Sequence, residues 1–155
     1  MAVNLSAAGI HLKYAPEQSS GELPTTGFID LVGVKSTPSL NPAPESLETT
    51  TLNETEYKTY IDGLKDLGGA LEFTFNLTQE LIGIWDTLME TYATSKEGGK
   101  AIWFLIDVPG LEKGYYFPGN PSALGLPETS VNSVLEITAY ITPTGAPKME
   151  AKPSA

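Results

Sequence analysis

The side chains that could perform acid–base or nucleophilic chemistry are few, and their spacing matches no catalytic motif. His11 is the only histidine, and the chain lacks the Gly-x-Ser-x-Gly turn that exposes a nucleophilic serine. Gly98, Gly99 and Lys100 resemble part of a phosphate-binding loop, but Ala101 follows where Ser or Thr is needed. There is no cysteine, which excludes thiol nucleophiles, disulfides and cysteine metal sites. We therefore expect a protein that is not an enzyme and that holds no metal or cofactor.

Paired carboxylates are the next candidates, because carboxylates exchange protons and are hard oxygen ligands of the kind that Ca²⁺ prefers. The pairs are Glu54 with Glu56 and Asp62 with Asp66. Neither pair has the spacing of an EF-hand loop, and acidic residues occur throughout the chain. We interpret both pairs as part of a solvated acidic surface.

The charge of the chain is strongly acidic, with nine basic residues, all of them lysine, against 19 acidic residues. The formal net charge is −10. Arginine supplies the fork that recognises phosphates and guanine edges, and an acidic surface repels the phosphate backbone. These features argue against nucleic-acid recognition. The aromatic run Tyr115, Tyr116 and Phe117 is accordingly interpreted as core or hairpin packing and not as a base-stacking surface.

The length of 155 residues is typical of one domain, and we predict a single domain over residues 1–155. No window approaches the ~20 apolar residues of a membrane span. The start, MAVNLSAAGIHLKY, lacks the basic flank and the continuous apolar run of a secretory signal. We expect the protein to remain in the cytoplasm in which it is made and not to enter a membrane.

Alternation of apolar and polar residues predicts that most of the chain is β-structure. In ALEFTFN, Leu71, Phe73 and Phe75 share one face of a strand, and SVLEITAYIT alternates in the same way. AIWFLIDV is almost wholly apolar, which indicates a strand covered on both faces. Further predicted strands are GIHLKYA, FIDLVGV, LETTTL and EYKTYI, and KGYYFPG is predicted to pair with AIWFLIDV.

One segment, TQELIGIWDTLMETYAT, has helical periodicity and is predicted to cover the sheet. Asn76 or Thr78 can cap its start, and Gly98 and Gly99 end it. The residues of its predicted core face are Leu81, Trp85, Leu88 and Tyr92. The expected fold is mainly β, a β-sandwich or partial barrel with one flanking α-helix and a long extended loop.

The extended loop is predicted at about residues 35–46, because Pro38, Pro42 and Pro44 exclude a helix there. Residues from about 143 to 155 have the composition of a flexible C-terminal tail. A long loop and a free tail are segments with which a subunit can reach a neighbour.

The segment ETTTLNETEYKTY, from Glu48 to Tyr60, combines high β-propensity with very few apolar residues. A two-stranded ribbon is stable only within a larger sheet, and its edges invite pairing with another chain. Repeated around a ring, such ribbons close into a wide barrel whose inner face can be polar. We therefore predict a ribbon that serves a hydrated channel.

A longer stretch resembles a known family. GVKSTPSLNPAPESLETTTLNETEYKTYIDGLKDLGGALEFTFN, followed in order by the helix, WFLIDVPG, YYFPG and ITPTGAP, resembles the major tail tube protein of long-tailed, siphovirus-type bacteriophages. The resemblance covers about Val32 to Pro147. It implies a structural virion protein that self-assembles into stacked hexameric rings, which form the hollow tail through which DNA is ejected.

The resemblance also implies sites and partners. It assigns Pro38, Leu40, Pro42 and Pro44 to a loop that reaches an adjacent ring. The implied partners are further copies of the chain, together with tape-measure, tail-tip initiator and tail terminator proteins. The implied location is the virion tail, after assembly in the host cytoplasm.

Four carboxylates on predicted polar strand faces are hypothesised to line the channel, namely Glu48, Glu54, Glu56 and Glu72. They would repel phosphate, so that DNA passes without specific binding. The other interpretation is that these residues only keep a concentrated protein soluble.

Two alternative functions remain open. The first is the secreted tube protein of a type VI secretion system, although the stretch LETTTL favours the phage family. The second is a monomeric β-barrel module for a small ligand or glycan, whose pocket would be lined by Trp85, Trp103, Tyr115 and Tyr116.

Overall fold

The computed structural model describes residues 9–40, 44–65, 69–127, 129–131 and 133–153. Ten β-strands and one α-helix form within these ranges. In chain order they are β1 (His11–Pro16), β2 (Ile29–Asp30), β3 (Val34–Ser36), β4 (Pro44–Glu48), β5 (Tyr60–Lys65), β6 (Leu71–Asn76), α1 (Gln79–Glu97), β7 (Ile102–Asp107), β8 (Lys113–Pro121), β9 (Glu136–Pro143) and β10 (Lys148–Ala151). None of the described residues belongs to a helix long and apolar enough to cross a membrane.

The chain divides into two compact units, one formed by Met1–Pro38 with Ala70–Ala155 and the other by Ser39–Gly69. The first unit holds an eight-stranded antiparallel sheet of order β2-β1-β7-β8-β9-β6-β3, with β10 paired to β8. The second holds the two-stranded sheet β4-β5. The larger sheet curls into a partial barrel, which confirms the predicted fold class. The single domain predicted over residues 1–155 stays a prediction.

The two ends of the large sheet belong to one short piece of chain. β2 pairs with β1 and β3 pairs with β6, yet only residues 31–33 separate β2 from β3. In this connection the Leu31 N–H donates to the Leu12 carbonyl at 2.7 Å, and the Gly33 carbonyl accepts from the Asn76 N–H at 2.9 Å. Gly33 has φ of 84°, which favours glycine. The segment FIDLVGV, predicted as one strand, is therefore two strands joined by a turn that spans both ends of the sheet.

The core on one face of the sheet is aromatic. Phe117 stacks between Phe104 and Phe73, with ring centroids 5.5 and 6.1 Å apart, and Phe75 meets Trp85 of α1 edge to face. All five side chains are fully or almost fully buried. Such rings account for much of the apolar area that the unit removes from water.

The opposite face of β7 is covered by chain that precedes β2. Trp103, Leu105 and Tyr116 form a buried cluster there, against which Leu23 and Phe28 pack. The prediction that AIWFLIDV is covered on both faces is confirmed, since β7 is buried from Ile102 to Ile106. The sequence predicted the helix as the element that packs over this strand, but the segment with Leu23 and Phe28 packs over its other face.

The C-terminal segment corrects the sequence prediction. Instead of a flexible tail, Lys148–Ala151 forms β10 and pairs with β8 from Lys113 to Tyr116. The Tyr116 hydroxyl donates to the Ala151 carbonyl at 2.7 Å. Lys152 follows with a bond to the Val108 carbonyl at 2.9 Å and an ion pair with Asp107 at 2.6 Å. These contacts hold Lys148–Lys152 in place, although the composition of the segment predicts flexibility.

Candidate functional site

The polar ribbon predicted from Glu48 to Tyr60 is the outer part of a hairpin and not a continuous strand pair. β4 ends at Glu48, β5 begins at Tyr60, and the residues between them form a loop. The ladder pairs Glu48 with Tyr60 and Leu47 with Ile61. The predicted strand at LETTTL is therefore wrong beyond Glu48, because Thr49 and Thr50 bond across the loop to Thr59.

Threonine side chains close the base of this loop. The Thr49 N–H donates to the Thr59 carbonyl at 2.8 Å, and the Thr49 hydroxyl donates to the Thr59 hydroxyl at 3.0 Å. The Thr59 N–H in turn donates to the Thr50 hydroxyl at 2.9 Å. Short hydroxyl side chains can take the place of ladder hydrogen bonds in this way. The loop beyond them, residues 51–58, is called the hairpin tip below.

The hairpin exposes more apolar surface than the sequence pattern indicates. Leu52 is fully exposed and Tyr57 is 76% exposed, and both belong to the hairpin tip. Leu47, Tyr60 and Ile61 on the strands are each about half exposed. A two-stranded sheet is marginal in water by itself, and clustered exposed apolar residues mark interaction surfaces. The hairpin is therefore the leading candidate for an assembly element.

The four carboxylates hypothesised to line a channel fall into two kinds of position. Glu48 ends β4, and Glu72 lies on β6 on the exposed face opposite Leu71 and Phe73. Glu54 and Glu56 are exposed but lie in the loop of the hairpin tip, where side chains do not alternate between the two faces of a strand. Of the four carboxylates, only Glu48 and Glu72 therefore lie on strands.

The predicted extended loop at residues 35–46 is shortened by strands at both ends. β3 continues to Ser36, and β4 begins at Pro44. Pro38 and Leu40 lie in the irregular segment that follows β3, and both are half-buried. Pro42 lies outside the described residues. The sequence missed the strand at Pro44 because proline at the first position of a strand costs no ladder hydrogen bond within it.

Helix α1 begins and ends where capping rules place its boundaries. Thr78 is the N-cap, with its hydroxyl accepting from the Leu81 N–H at 3.1 Å, and Gly98 is the C-cap. Of the predicted core face, Leu81, Trp85 and Leu88 are buried, whereas Tyr92 is half-buried.

Beside α1 lies an apolar groove of about 260 Å³, which we call the helix groove. Its walls are the helix and the loop after β8, and they include Ile82, Trp85, Asp86, Met89, Leu124 and Leu126. The Trp85 indole N–H donates to the Ser122 carbonyl at 2.9 Å, which ties this loop to the helix. The Ser122 N–H donates to the Tyr140 carbonyl at 3.0 Å, so the loop is also fixed to β9. The groove is thus preformed.

The residues proposed for a ligand pocket do not meet. Trp85 packs against Phe75 below α1, whereas Trp103 and Tyr116 belong to the cluster under Leu23 and Phe28. Trp85, Trp103 and Tyr116 are all buried by protein atoms. The predicted common pocket of the binding-module alternative is therefore wrong.

The lone histidine is a surface residue. His11 is exposed at the start of β1, and its Nδ1 lies 3.2 Å from Asp30 Oδ2 on β2. No serine or cysteine nucleophile accompanies this pair among the hydrogen bonds of the described residues.

A buried carboxylate was missed by the sequence reasoning. Glu17 follows β1, with Oε1 accepting the Ala101 N–H at 2.7 Å and Oε2 accepting the Trp103 indole N–H at 2.9 Å. Burial by itself would raise the pKa of Glu17, but hydrogen bonds from Ala101, Trp103 and Gly21 and the charge of Lys100 lower it overall. No local signal predicts this, because Ala101 and Trp103 are more than 80 residues away in sequence.

The class of protein that these features define is an antiparallel partial barrel that carries one helix and an exposed hairpin. No family model matches the sequence, and no curated protein matches it. The fold is similar to that of a chain in the cryo-EM structure of the anti-feeding prophage baseplate, which was symmetrised six-fold. The TM-score is 0.59, and the match covers 97% of this chain and 98% of the other. At 10% sequence identity the likeness shows a shared fold.

Proposed function

We propose that this protein is a non-enzymatic structural subunit of a phage tail, which self-assembles into hexameric rings that stack into a hollow tube. The observation that carries the proposal is the fold match to a chain of a six-fold symmetrised prophage baseplate over nearly the whole of both chains. The order of motifs from Val32 to Pro147 supports the tube subunit in particular.

The exposed hairpin supports self-assembly on physical grounds. Its two strands pair only with each other among the described ladders, and it carries exposed side chains such as Leu52 and Tyr57. Unpaired strand edges and clustered apolar side chains both favour association with another chain. In an assembly of many copies, the strand edges and apolar side chains of each hairpin would pair and pack with a neighbouring copy.

The charge of the chain supports a passage that does not bind DNA. A net charge of −10 per copy, with Glu48 and Glu72 as channel candidates, would repel phosphate from the wall. DNA would therefore slide through during ejection. The proposed partners are the tape-measure, tail-tip initiator and tail terminator proteins, and the proposed location is the virion tail after assembly in the host cytoplasm.

A secreted tube of the type VI kind would share the ring architecture. It differs in what surrounds the tube and in what passes through it. Tubes that join to a DNA-filled capsid would favour the phage tail, whereas tubes released into the medium without DNA would favour the secretion system.

The proposal is tested by negative-stain electron microscopy of the concentrated protein, beside a sizing column and with a tail-tip initiator added. Hollow tubes or six-fold rings are the expected result. A monodisperse monomer at every concentration, even with the initiator present, would contradict the proposal and favour a monomeric module.

A further inference from the structure

The exposed large apolar side chains of the described residues fall mainly into two groups. Of eleven such side chains, five lie on the hairpin, and three lie in the loop between β8 and β9, namely Leu126, Val131 and Val134. Leu126 also borders the helix groove. The chain therefore carries two apolar surfaces, one convex at the hairpin tip and one concave beside α1.

The convex surface is small and held in shape. Leu52 and Tyr57 project from a loop of eight residues, whose base is closed by the hydrogen bonds among Thr49, Thr50 and Thr59. Within the loop, the Glu54 N–H donates to the Thr51 carbonyl at 3.1 Å. A preordered loop loses less conformational entropy on binding than a free one. An aromatic and an aliphatic side chain on such a loop are typical anchors of an interface.

The concave surface has the size of a side-chain pocket. At about 260 Å³ the helix groove is smaller than the ~300–1,000 Å³ of small-molecule sites. Its walls are apolar at Ile82, Met89 and Leu124, and the Trp85–Ser122 hydrogen bond fixes the distance between helix and loop. One or two apolar side chains from a partner would fill it.

One charge on each surface is complementary to the other. Lys58 is the one basic residue of the hairpin tip, which also holds Glu54 and Glu56, and it follows Tyr57 directly. Among the described residues that line the helix groove, Asp86 is the one that carries a charge. Such a pair at the rim contributes little free energy but favours one orientation of docking.

We infer that the hairpin tip of one copy docks into the helix groove of a second copy. This inference rests on the proposed self-assembly. Because the two surfaces differ and both belong to each chain, the contact is head-to-tail, and repetition of such a contact generates rings or filaments. Contact of a tip with another tip would instead end at a dimer.

The test uses two variants, each lacking one surface. The tip-blocked variant is Leu52→Asp with Tyr57→Asp, and the groove-blocked variant is Leu126→Asp. All three residues are largely exposed, so the fold should survive, and circular dichroism checks this. Met149→Asp on β10 is the control, since it adds one aspartate to another exposed apolar residue, as Leu126→Asp does.

Sedimentation of each variant alone and of an equal mixture gives the result. Each blocked variant alone should associate at least tenfold more weakly than the unchanged chain, whereas the mixture should form a one-to-one dimer that grows no further. Met149→Asp should associate as the unchanged chain does. A mixture that associates no better than its components overturns the inference, as does unchanged association of either blocked variant.

Charge exchange tests the orientation. Lys58→Glu or Asp86→Lys alone should weaken association about three- to tenfold, and the double variant should regain it. If association does not recover in the double variant, Lys58 and Asp86 are not in contact, and the assigned docking pose is overturned.

If the mixed dimer forms but the unchanged chain assembles into neither rings nor tubes, the proposed function fails and the docking inference stands. If both blocked variants form rings, the docking fails and the proposed function stands.

Discussion

Glu17 and Trp103 are joined by a hydrogen bond of 2.9 Å from the indole N–H to Oε2, and the other carboxylate oxygen accepts from Ala101 at 2.7 Å. One side chain therefore fixes both the start of β7 and the segment that covers the Trp103 cluster. Both oxygens accept hydrogen bonds from protein donors, which is how a buried carboxylate is tolerated.

Replacing Glu17 with Gln should destabilise the protein by about 1–3 kcal/mol. The amide NH₂ of Gln would face a donor, either the Ala101 N–H or the Trp103 indole, and leave it without an acceptor. Urea denaturation followed by tryptophan fluorescence measures the loss. Glu22→Gln is the control, since Glu22 is exposed on the same segment and should change stability by less than about 0.5 kcal/mol.

The stabilisation by Glu17 should depend on pH. Burial opposes its ionisation, but the hydrogen bonds from Ala101, Trp103 and Gly21 and the charge of Lys100 hold the pKa of Glu17 below its usual value in the folded state. The folded state therefore binds the proton less tightly than the unfolded state. The contribution is complete above the unfolded pKa and is lost as pH falls through the folded one. Denaturation curves from pH 6 to pH 3 should show a smaller stability loss for Glu17→Gln, and parallel losses would contradict this.

Two glycines should respond oppositely to alanine. At Gly119 on β8 a Cβ would lie 2.7 Å from Ile141 Cγ2 and 3.1 Å from the Thr142 carbonyl oxygen, so Gly119→Ala should cost about 1–3 kcal/mol. At Gly83 on the exposed face of α1 a Cβ meets nothing within 4 Å, so Gly83→Ala should stabilise by up to about 1 kcal/mol. Urea midpoints compare the two variants directly. If both urea midpoints shift equally and in the same direction, the surroundings of Gly119 can accommodate a methyl group, and the prediction is wrong.

The ordered C-terminal strand can be tested by proteolysis. Tyr116→Phe removes the hydroxyl that donates to the Ala151 carbonyl and should loosen β10 by the free energy of one hydrogen bond. Tryptic cleavage after Lys148 should then accelerate about two- to tenfold, provided that opening is fast relative to cleavage. Tyr92→Phe on α1 should leave the rate unchanged. An unchanged rate for Tyr116→Phe would mean that the bonds of Lys152 hold β10 by themselves.

Charge reversal tests the channel candidates of the proposed tube. Glu48→Lys and Glu72→Lys each change one copy by two charges and should leave tube length and width unchanged. Attraction of phosphate to the wall should lower infectivity per particle by about tenfold, more at low salt than at high salt. Glu97→Lys, at the end of α1, is the control. Normal infectivity of the Glu48 and Glu72 variants would favour a role for both residues in solubility alone.

The sequence predicts the parts of the fold that local periodicity determines. Alternation identified β6 and β9, and the apolar run identified β7. The caps of α1, Thr78 and Gly98, were both among the predicted candidates, with Asn76 as the alternative at the start. Side-chain period and capping act within a few residues, so one sequence suffices to detect them.

Contacts between distant residues account for the corrections. Thr49 and Thr50 have high β-propensity, but their side chains bond across the loop to Thr59. Composition indicates a free tail at residues 143–155, but within it Ala151 bonds to Tyr116 and Lys152 to Asp107. The helix groove also escaped prediction, since its two walls come from separate parts of the chain.

The joining of both sheet ends by residues 31–33 has a consequence for the order of folding. The barrel is complete only when strands as distant as His11 and Asp107 have paired and the chain between β2 and β3 has bonded to Leu12 and Asn76. Such non-local pairing is slow, on the order of milliseconds to seconds, whereas a hairpin forms in about 1–10 μs. We expect the β4-β5 hairpin to form and dissolve many times before the barrel closes. A newly made chain would thus present its apolar hairpin tip well before its barrel is complete, and the concentration of unfinished chains would then limit the yield of correctly folded subunits.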